Sequence, residues 1–305
     1  MTNLRHRSVE YSSAGGSVVD RPSHALRPRS GTSAKAVLLT VLGQFVLPRG
    51  GTAWTQTLIE ALDTVGIEEQ NARQAMSRLT EQGLVVGQRD GRRVRRHLTE
   101  AAVELLEVGR RRIFDFGAAP VAWSGRWLVV LCSVPEEFRS KRHLLRSRLA
   151  FAGFGFLAPG VAITPHLERE ELATSVLRDL DLASTTTVFR AELGELATAT
   201  DMLHRAWDLA SLIDEYKSFV RSFQHRSPTT PRARFAATVE LVDHWRRFPF
   251  IDPEIPDELL PASWNGHAAR EVFDDRSRAW DSSARQYFEA LELVATRPTP
   301  RAEVS

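Results

Sequence analysis

Between Gln70 and Arg78 the chain sets out side chains whose polar groups match the edges of nucleobases. With Met76 at the centre of an inner helical face, Ala72, Ala75 and Leu79 fall beside it. The opposite face carries Gln70, Gln74 and Ser77, flanked by Asn71, Arg73 and Arg78. Amide side chains pair with adenine in a bidentate way and guanidinium groups with guanine, so this face has the chemistry to read a major groove. Just downstream, Arg89, Arg92, Arg93, Arg95 and Arg96 crowd into one short hairpin. Guanidinium groups so close repel one another unless an anion is nearby, and at the hairpin tip that anion is a phosphate backbone or a minor groove. A solvated amphipathic helix or a charged hairpin accounts for either element alone. Their succession points to duplex DNA.

The flanking sequence supplies a scaffold for these groups. From Lys35, the residues Val37, Leu38, Val41, Leu42 and Phe45 recur at helical spacing until Pro48-Arg49-Gly50-Gly51 stops them. A second helix spans Thr55 to Thr64, and a third runs from Glu68 to Gln82 and ends at Gly83, a usual C-cap residue. Leu84–Gln88 and Arg93–Leu98 read as strands joined by Arg89-Asp90-Gly91-Arg92, where Asp-Gly is a strong hairpin signal. Thr99 then caps a helix through Val103, Leu105 and Leu106. Helix, helix, turn, helix and basic hairpin make the order of a winged helix-turn-helix, expected as a domain over residues 34–116.

Residues 1–33 mix Ser, Gly, Pro and Arg without apolar periodicity and read as a disordered tail. From Arg126 the rhythm changes: a strand Trp127–Cys132, a helix from Pro135 to Ala150, a strand Phe154–Thr164, a helix Leu167–Leu182 and a strand Thr185–Ala191. This predicts a small α+β domain over residues 117–194. Residues 195–305 read as a helical domain, with helices at Glu195–Phe223, Pro231–Arg247 and Trp264–Val294. The insert Phe248–Pro256 is too rich in proline to be helical.

Composition narrows the function classes. The chain has 305 residues and a formal net charge of only +2, so a nucleic-acid partner must be recognised locally and not by bulk charge. Cys132, the single cysteine, rules out an internal disulfide and a thiol-rich metal site. The N-terminus lacks an apolar signal core, and no stretch approaches the roughly 18 apolar residues needed to span a bilayer, so a cytoplasmic protein without membrane association is expected. His204 and Asp208, four apart on the expected helix, lack a third ligand, and no metal site is anticipated. A metal-dependent nuclease would need a carboxylate at the end of the first central strand. That position reads Cys132-Ser133-Val134, while Glu136 and Glu137 suit a helix start. No phosphate loop or nucleophile signature occurs, so no catalytic residue is assigned; the alternatives to a DNA reader are such a metal-dependent nuclease and a protein-docking adaptor built on the winged helix.

Three groups of residues together carry a family pattern. The first is Leu38-Leu39-Thr40-Val41-Leu42-Gly43 with Ala72-Arg73-Gln74-Ala75-Met76-Ser77-Arg78-Leu79. The second is Trp127, Pro135, Arg139, Arg142, Leu145-Arg146 and the run Gly153-Phe154-Gly155-Phe156-Leu157-Ala158-Pro159-Gly160-Val161. The third is Ala206-Trp207-Asp208-Leu209, His244-Trp245-Arg246-Arg247-Phe248-Pro249-Phe250, Asp252-Pro253 and Leu259-Leu260-Pro261, so that residues 34 to 292 are covered. These residues make up a resemblance to the PaaX family of transcriptional regulators. It implies an α+β multidomain protein: an N-terminal winged helix-turn-helix, a central ferredoxin-like (Cas2-like) domain and a helical C-terminal domain. It also implies a homodimeric repressor of a catabolic operon of the aromatic-acid type, released from double-stranded operator DNA by phenylacetyl-CoA or another acyl-CoA thioester, with no bound cofactor. Arg139, Arg142 and Arg146, on neighbouring turns of one helix, could hold the phosphates of such an effector, and Trp245 and Arg246 could supply aromatic surface and charge. One departure from the family pattern is Ala162, where an aromatic residue is expected after Pro159-Gly160-Val161.

Overall fold

A computed structural model describes residues 33–118, 122–134, 138–196 and 198–296. The expected tail, up to residue 32, and the expected helix start at Pro135-Glu136-Glu137 lie outside the described residues. Helix α1 (Ala34–Val41) begins where the Ser33 hydroxyl accepts a hydrogen bond from the Ala36 N–H. It loosens into a π-helical stretch, Leu42–Val46, and a 3₁₀ turn, Leu47–Arg49, in which Pro48 occupies the first turn and leaves no hydrogen bond unmade. Helices α2 (Thr55–Thr64) and α3 (Glu69–Glu81) follow, separated by a turn that needs Gly66 at φ 82°.

Three antiparallel strands complete this part in the order β1-β3-β2: β1 (Thr52–Trp54), β2 (Val85–Asp90) and β3 (Arg93–Leu98). Nothing in the apolar pattern announces β1, since three residues are too few to show alternation. The hairpin also turns one residue later than Asp90-Gly91. Asp90 pairs with Arg93, so the two turn residues are Gly91 and Arg92, with φ positive at Gly91. Thr99 caps α4 (Glu100–Asp115), which leads away from the sheet.

The central part runs β4 (Arg126–Cys132), α5 (Arg139–Phe151), β5 (Gly155–Ala158), β6 (Val161–Thr164), α6 (Glu170–Asp179) and β7 (Thr186–Glu192). Its antiparallel sheet has the order β5-β6-β4-β7, giving a β-α-β-β-α-β unit. The single strand expected over Phe154–Thr164 is in fact a hairpin, broken at Pro159-Gly160. Gly160 sits at φ 78°, and a Cβ there would lie 2.5 Å from the Cys132 carbonyl oxygen, so only glycine passes. Leu128, Val130, Leu145, Leu149, Phe154 and Leu177 form the core between sheet and helices.

The remainder is helical: α7 (Ala199–Ala206), α8 (Leu209–Phe223), α9 (Pro231–Trp245), the single turn α10 (Phe248–Ile251) and α11 (Gly266–Thr296). Two sequence expectations change here. The helix expected over Glu195–Phe223 breaks because Asp208 leaves the helical path and its Oδ1 caps α8 by accepting the Ser211 N–H at 3.0 Å; His204 and Asp208 therefore do not share a helix. The proline-rich insert does contain one helical turn, because Pro249 stands in the first turn, where its missing N–H is tolerated. Phe235 and Val239 of α9 and Ala284 and Phe288 of α11 are buried in the same cluster as Phe45, Leu58 and Met76. The Phe45 ring lies 4.7 Å from that of Phe235 and 5.6 Å from that of Phe288. Each such ring contributes about 1.5–3 kcal/mol by burial, so the C-terminal helices are part of what holds α1–α3 in place.

Candidate nucleic-acid interface

Helix α3 divides cleanly. Ala72, Ala75, Met76 and Leu79 are buried, whereas Gln70, Asn71, Arg73, Gln74, Ser77 and Arg78 are all exposed. Two of the exposed groups have partners on their own helix: the Arg73 Nε donates to Glu69 Oε1 at 2.7 Å, and the Ser77 hydroxyl donates to Glu81 Oε1 at 3.0 Å. Exposed pairs one turn apart are worth only about 0.3–0.5 kcal/mol, so both groups can exchange these partners for a base or a phosphate at small cost.

The hairpin arginines separate according to the pleat. Arg93 and Arg95 face Trp54, with guanidinium carbons 5.8 and 4.7 Å from the indole, and the Arg93 Nη1 donates to the Ala295 carbonyl at 2.5 Å. Arg96 points the other way. Its Nε donates to Thr55 Oγ1 at 3.1 Å, and burial followed by the nearby Arg73 charge holds its pKa below the usual guanidinium value. Arg89 and Arg92 are exposed at the tip. The two tip cations thus face solvent, and the three on β3 tie the sheet to Trp54, α2 and the end of α11.

Sequence reasoning missed two supports of this arrangement. The backbone N–H of Trp54 donates to the buried carboxylate of Glu292 at 2.9 Å, and the Tyr287 hydroxyl lies 2.9 Å from that of Thr64. A signal for Glu292 does exist: Ala284, Phe288 and Glu292 continue one buried stripe at intervals of four, and a carboxylate in an apolar stripe needs a partner.

Comparison with known families matches residues 33–102 to the PaaX-like protein family, 120–203 to the PaaX protein central Cas2-like domain and 207–290 to the PaaX-like protein C-terminal domain. The chain is 30% identical over 258 residues to the transcriptional repressor PaaX of Escherichia coli (strain K12), covering 80% of this chain and 78% of that protein. The chain belongs to the PaaX family. Among solved structures, the uncharacterized protein Rv0674 from Mycobacterium tuberculosis has a similar fold, with a TM-score of 0.59 at 24% identity over 85% of this chain and 100% of that one.

In this PaaX-family chain the five residues considered for an effector fall in different places. Arg139 is exposed at the start of α5. The Arg142 Nη2 donates to the Val134 carbonyl at 3.0 Å, and the Arg146 guanidinium lies 4.4 Å from the Phe156 ring. Both arginines line a cavity of about 540 Å³ between α5 and the central sheet, floored by Val130, Leu149 and Ala162. The small Ala162 leaves part of that space open. Trp245 and Arg246 are buried instead: the indole stacks 4.6 Å from Phe273 and donates to the Ile113 carbonyl at 3.0 Å, while the Arg246 Nε donates to Asp243 at 2.8 Å. Among the described residues no group of three His, Cys, Asp or Glu side chains could hold a metal ion, and no helix is long and apolar enough to cross a membrane.

A further cavity, of about 260 Å³, opens beside Trp245 at the head of α11. On its wall the Tyr216 hydroxyl donates to Asp252 Oδ2 at 2.5 Å. Burial pushes the Asp252 carboxyl up from 3.8 to about 6, and the Glu254 charge adds to this, against the bonds from Tyr216 and the Glu254 N–H and the charge of Arg169. The folded state therefore binds this proton more tightly than the unfolded chain. The stability this contributes is complete below the unfolded value and is lost as pH rises through about 6, so the ionised carboxylate costs about 1–3 kcal/mol at pH 7.5. Asp252→Asn keeps the shape and removes the charge. Chemical denaturation is expected to show the variant more stable than the parent by about that amount at pH 7.5, with the gain shrinking toward zero near pH 4; a loss at pH 7.5 contradicts it.

Proposed function

We propose that this protein is a DNA-binding transcriptional repressor that reads its operator through a winged helix-turn-helix formed by α1–α3 and the β1-β3-β2 sheet. The observation that carries the reading is the exposed face of α3, where six side chains able to contact bases or phosphates stand on a helix whose other face is buried. In this reading α3 enters the major groove, while Arg89 and Arg92 reach phosphates or the minor groove. The similarity to the Escherichia coli repressor supports the regulatory role. Residues 117–194 and 195–305 then pair two copies and take up an aryl- or acyl-CoA thioester that lowers operator affinity. Such a ligand must favour the DNA-incompetent state, and tenfold release corresponds to about 1.4 kcal/mol of preference. The protein works where its DNA is, in the cytoplasm.

The reading is tested by footprinting the purified protein over DNA flanking its own gene, followed by titration with phenylacetyl-CoA, other acyl-CoA thioesters and the parent acids. A discrete footprint that a thioester erases and its acid does not is the expected result; no footprint at any accessible concentration sinks the proposal. The hairpin makes a separate prediction. Arg89→Ala combined with Arg92→Ala is expected to weaken binding to every duplex and to make the slope of log affinity against log salt shallower by up to about 2. An unchanged slope would place the tip away from the phosphates.

A further inference from the structure

One face of the β1-β3-β2 sheet is covered without being satisfied. Register sets Trp54 opposite Arg95 and Thr52 opposite His97, and the pleat puts Arg93, Arg95 and His97 on the Trp54 side of β3, away from Thr55. On this side Trp54 Nε1, Arg95 Nε and His97 Nε2 are buried with no hydrogen-bond partner among the described residues. An indole N–H and a guanidinium N–H can only donate, so what the face lacks is an acceptor. Leaving buried donors unpaired costs more than an ordinary hydrogen bond contributes, so such a face is poised to open toward an anion. What lies over it is the end of α11. That end is pinned by two bonds, from the Trp54 N–H to Glu292 at 2.9 Å and from the Arg93 Nη1 to the Ala295 carbonyl at 2.5 Å. Beyond Glu292 no side chain of the helix is buried, with Leu293 66% and Val294 56% exposed.

We propose that the end of α11 is an autoinhibitory cover over a second phosphate-binding face of the sheet, and that phosphates flanking those at the hairpin tip displace it from Arg93 and Arg95. The proposal rests on the DNA-binding reading and adds a limit to it: the free protein holds two cations back from duplex of any sequence. Carbonyls at a helix C-terminus carry partial negative charge, so the Ala295 carbonyl occupies Arg93 much as a phosphate oxygen would, and the two compete. A helix end held by two bonds and no buried apolar side chain opens at far lower cost than the molecule unfolds. Each phosphate then engaged adds about 0.9 to the slope of log affinity against log salt, so full opening steepens that slope by up to about 2.

The test lifts the cover without touching a buried group. Leu293→Gly combined with Val294→Gly weakens the helix end, because glycine forms helix poorly, and both side chains are exposed, so the fold is kept. Full-length parent and variant are titrated with a fluorescent scrambled duplex over a range of salt. The variant is expected to bind about three to ten times more tightly, with a slope steeper by about 1–2. Hydrogen exchange at the Trp54 amide, measured without DNA, is expected to quicken by a similar factor. In a background carrying Arg93→Gln and Arg95→Gln, the same two glycines are expected to change affinity by less than about twofold. Unaltered affinity and slope in the glycine variant overturn the inference, as does a gain that persists without the two arginines, or an unchanged exchange rate at Trp54. A parent that binds no duplex fails the DNA-binding reading and the cover with it. A parent that binds, beside a glycine variant that gains nothing, fails the cover alone.

Discussion

Trp245→Ala lowers the free energy of unfolding by about 3–5 kcal/mol, the range for deleting a large aromatic side chain from a packed core. The side chain is almost fully buried, stacks at 4.6 Å on Phe273, and packs within 6.0 Å of the rings of Phe116, Phe219 and Phe248. Truncation also frees the Ile113 carbonyl, which accepts the indole N–H at 3.0 Å and ties the end of α4 to α9. Because α9 packs with α11, and both enter the core beneath α1–α3, the loss reaches those N-terminal helices through folding. Urea denaturation at neutral pH measures it. A change under about 1 kcal/mol would mean that the ring is replaceable where it sits, as for a surface residue.

The second large effect concerns α3. Arg73→Ala combined with Gln74→Ala is expected to reduce operator affinity by about 2–5 kcal/mol, roughly thirtyfold or more, while affinity for scrambled duplex changes little. Each side chain is exposed, so folding is spared, and the Arg73–Glu69 pair lost with the first is a weak exposed one. Non-specific binding persists because the tip arginines and Arg78 are untouched. Fluorescence anisotropy with operator and scrambled duplexes separates the two terms. Equal losses on both would assign Arg73 and Gln74 to the phosphates.

What could be read in advance follows physical range. The buried and exposed faces of α3 were legible because helical periodicity is a property of thirteen consecutive residues. The β2-β3 hairpin was legible because Gly91 announces its turn. β1 was hidden by its length, and the break at Trp207-Asp208 by a cap that competes with the apolar pattern running through both helices. The division of the arginines was beyond local reading. Arg93, Arg95 and Arg96 look like Arg89 and Arg92 in sequence, and only contacts with Trp54, Thr55 and Ala295 set them apart. Trp245 and Arg246 show the same limit: an aromatic residue beside cations reads as a binding surface until the helices that cover it are placed.

The claim on which the account depends is that α3 reads a sequence, and selection from a randomised duplex library with the full-length protein tests it directly. A single enriched motif is expected, which the Arg73→Ala, Gln74→Ala double variant enriches weakly or not at all while still retaining bulk duplex at low salt. Failure of the parent to enrich any motif, or enrichment of the same motif to the same extent by the double variant, would contradict it.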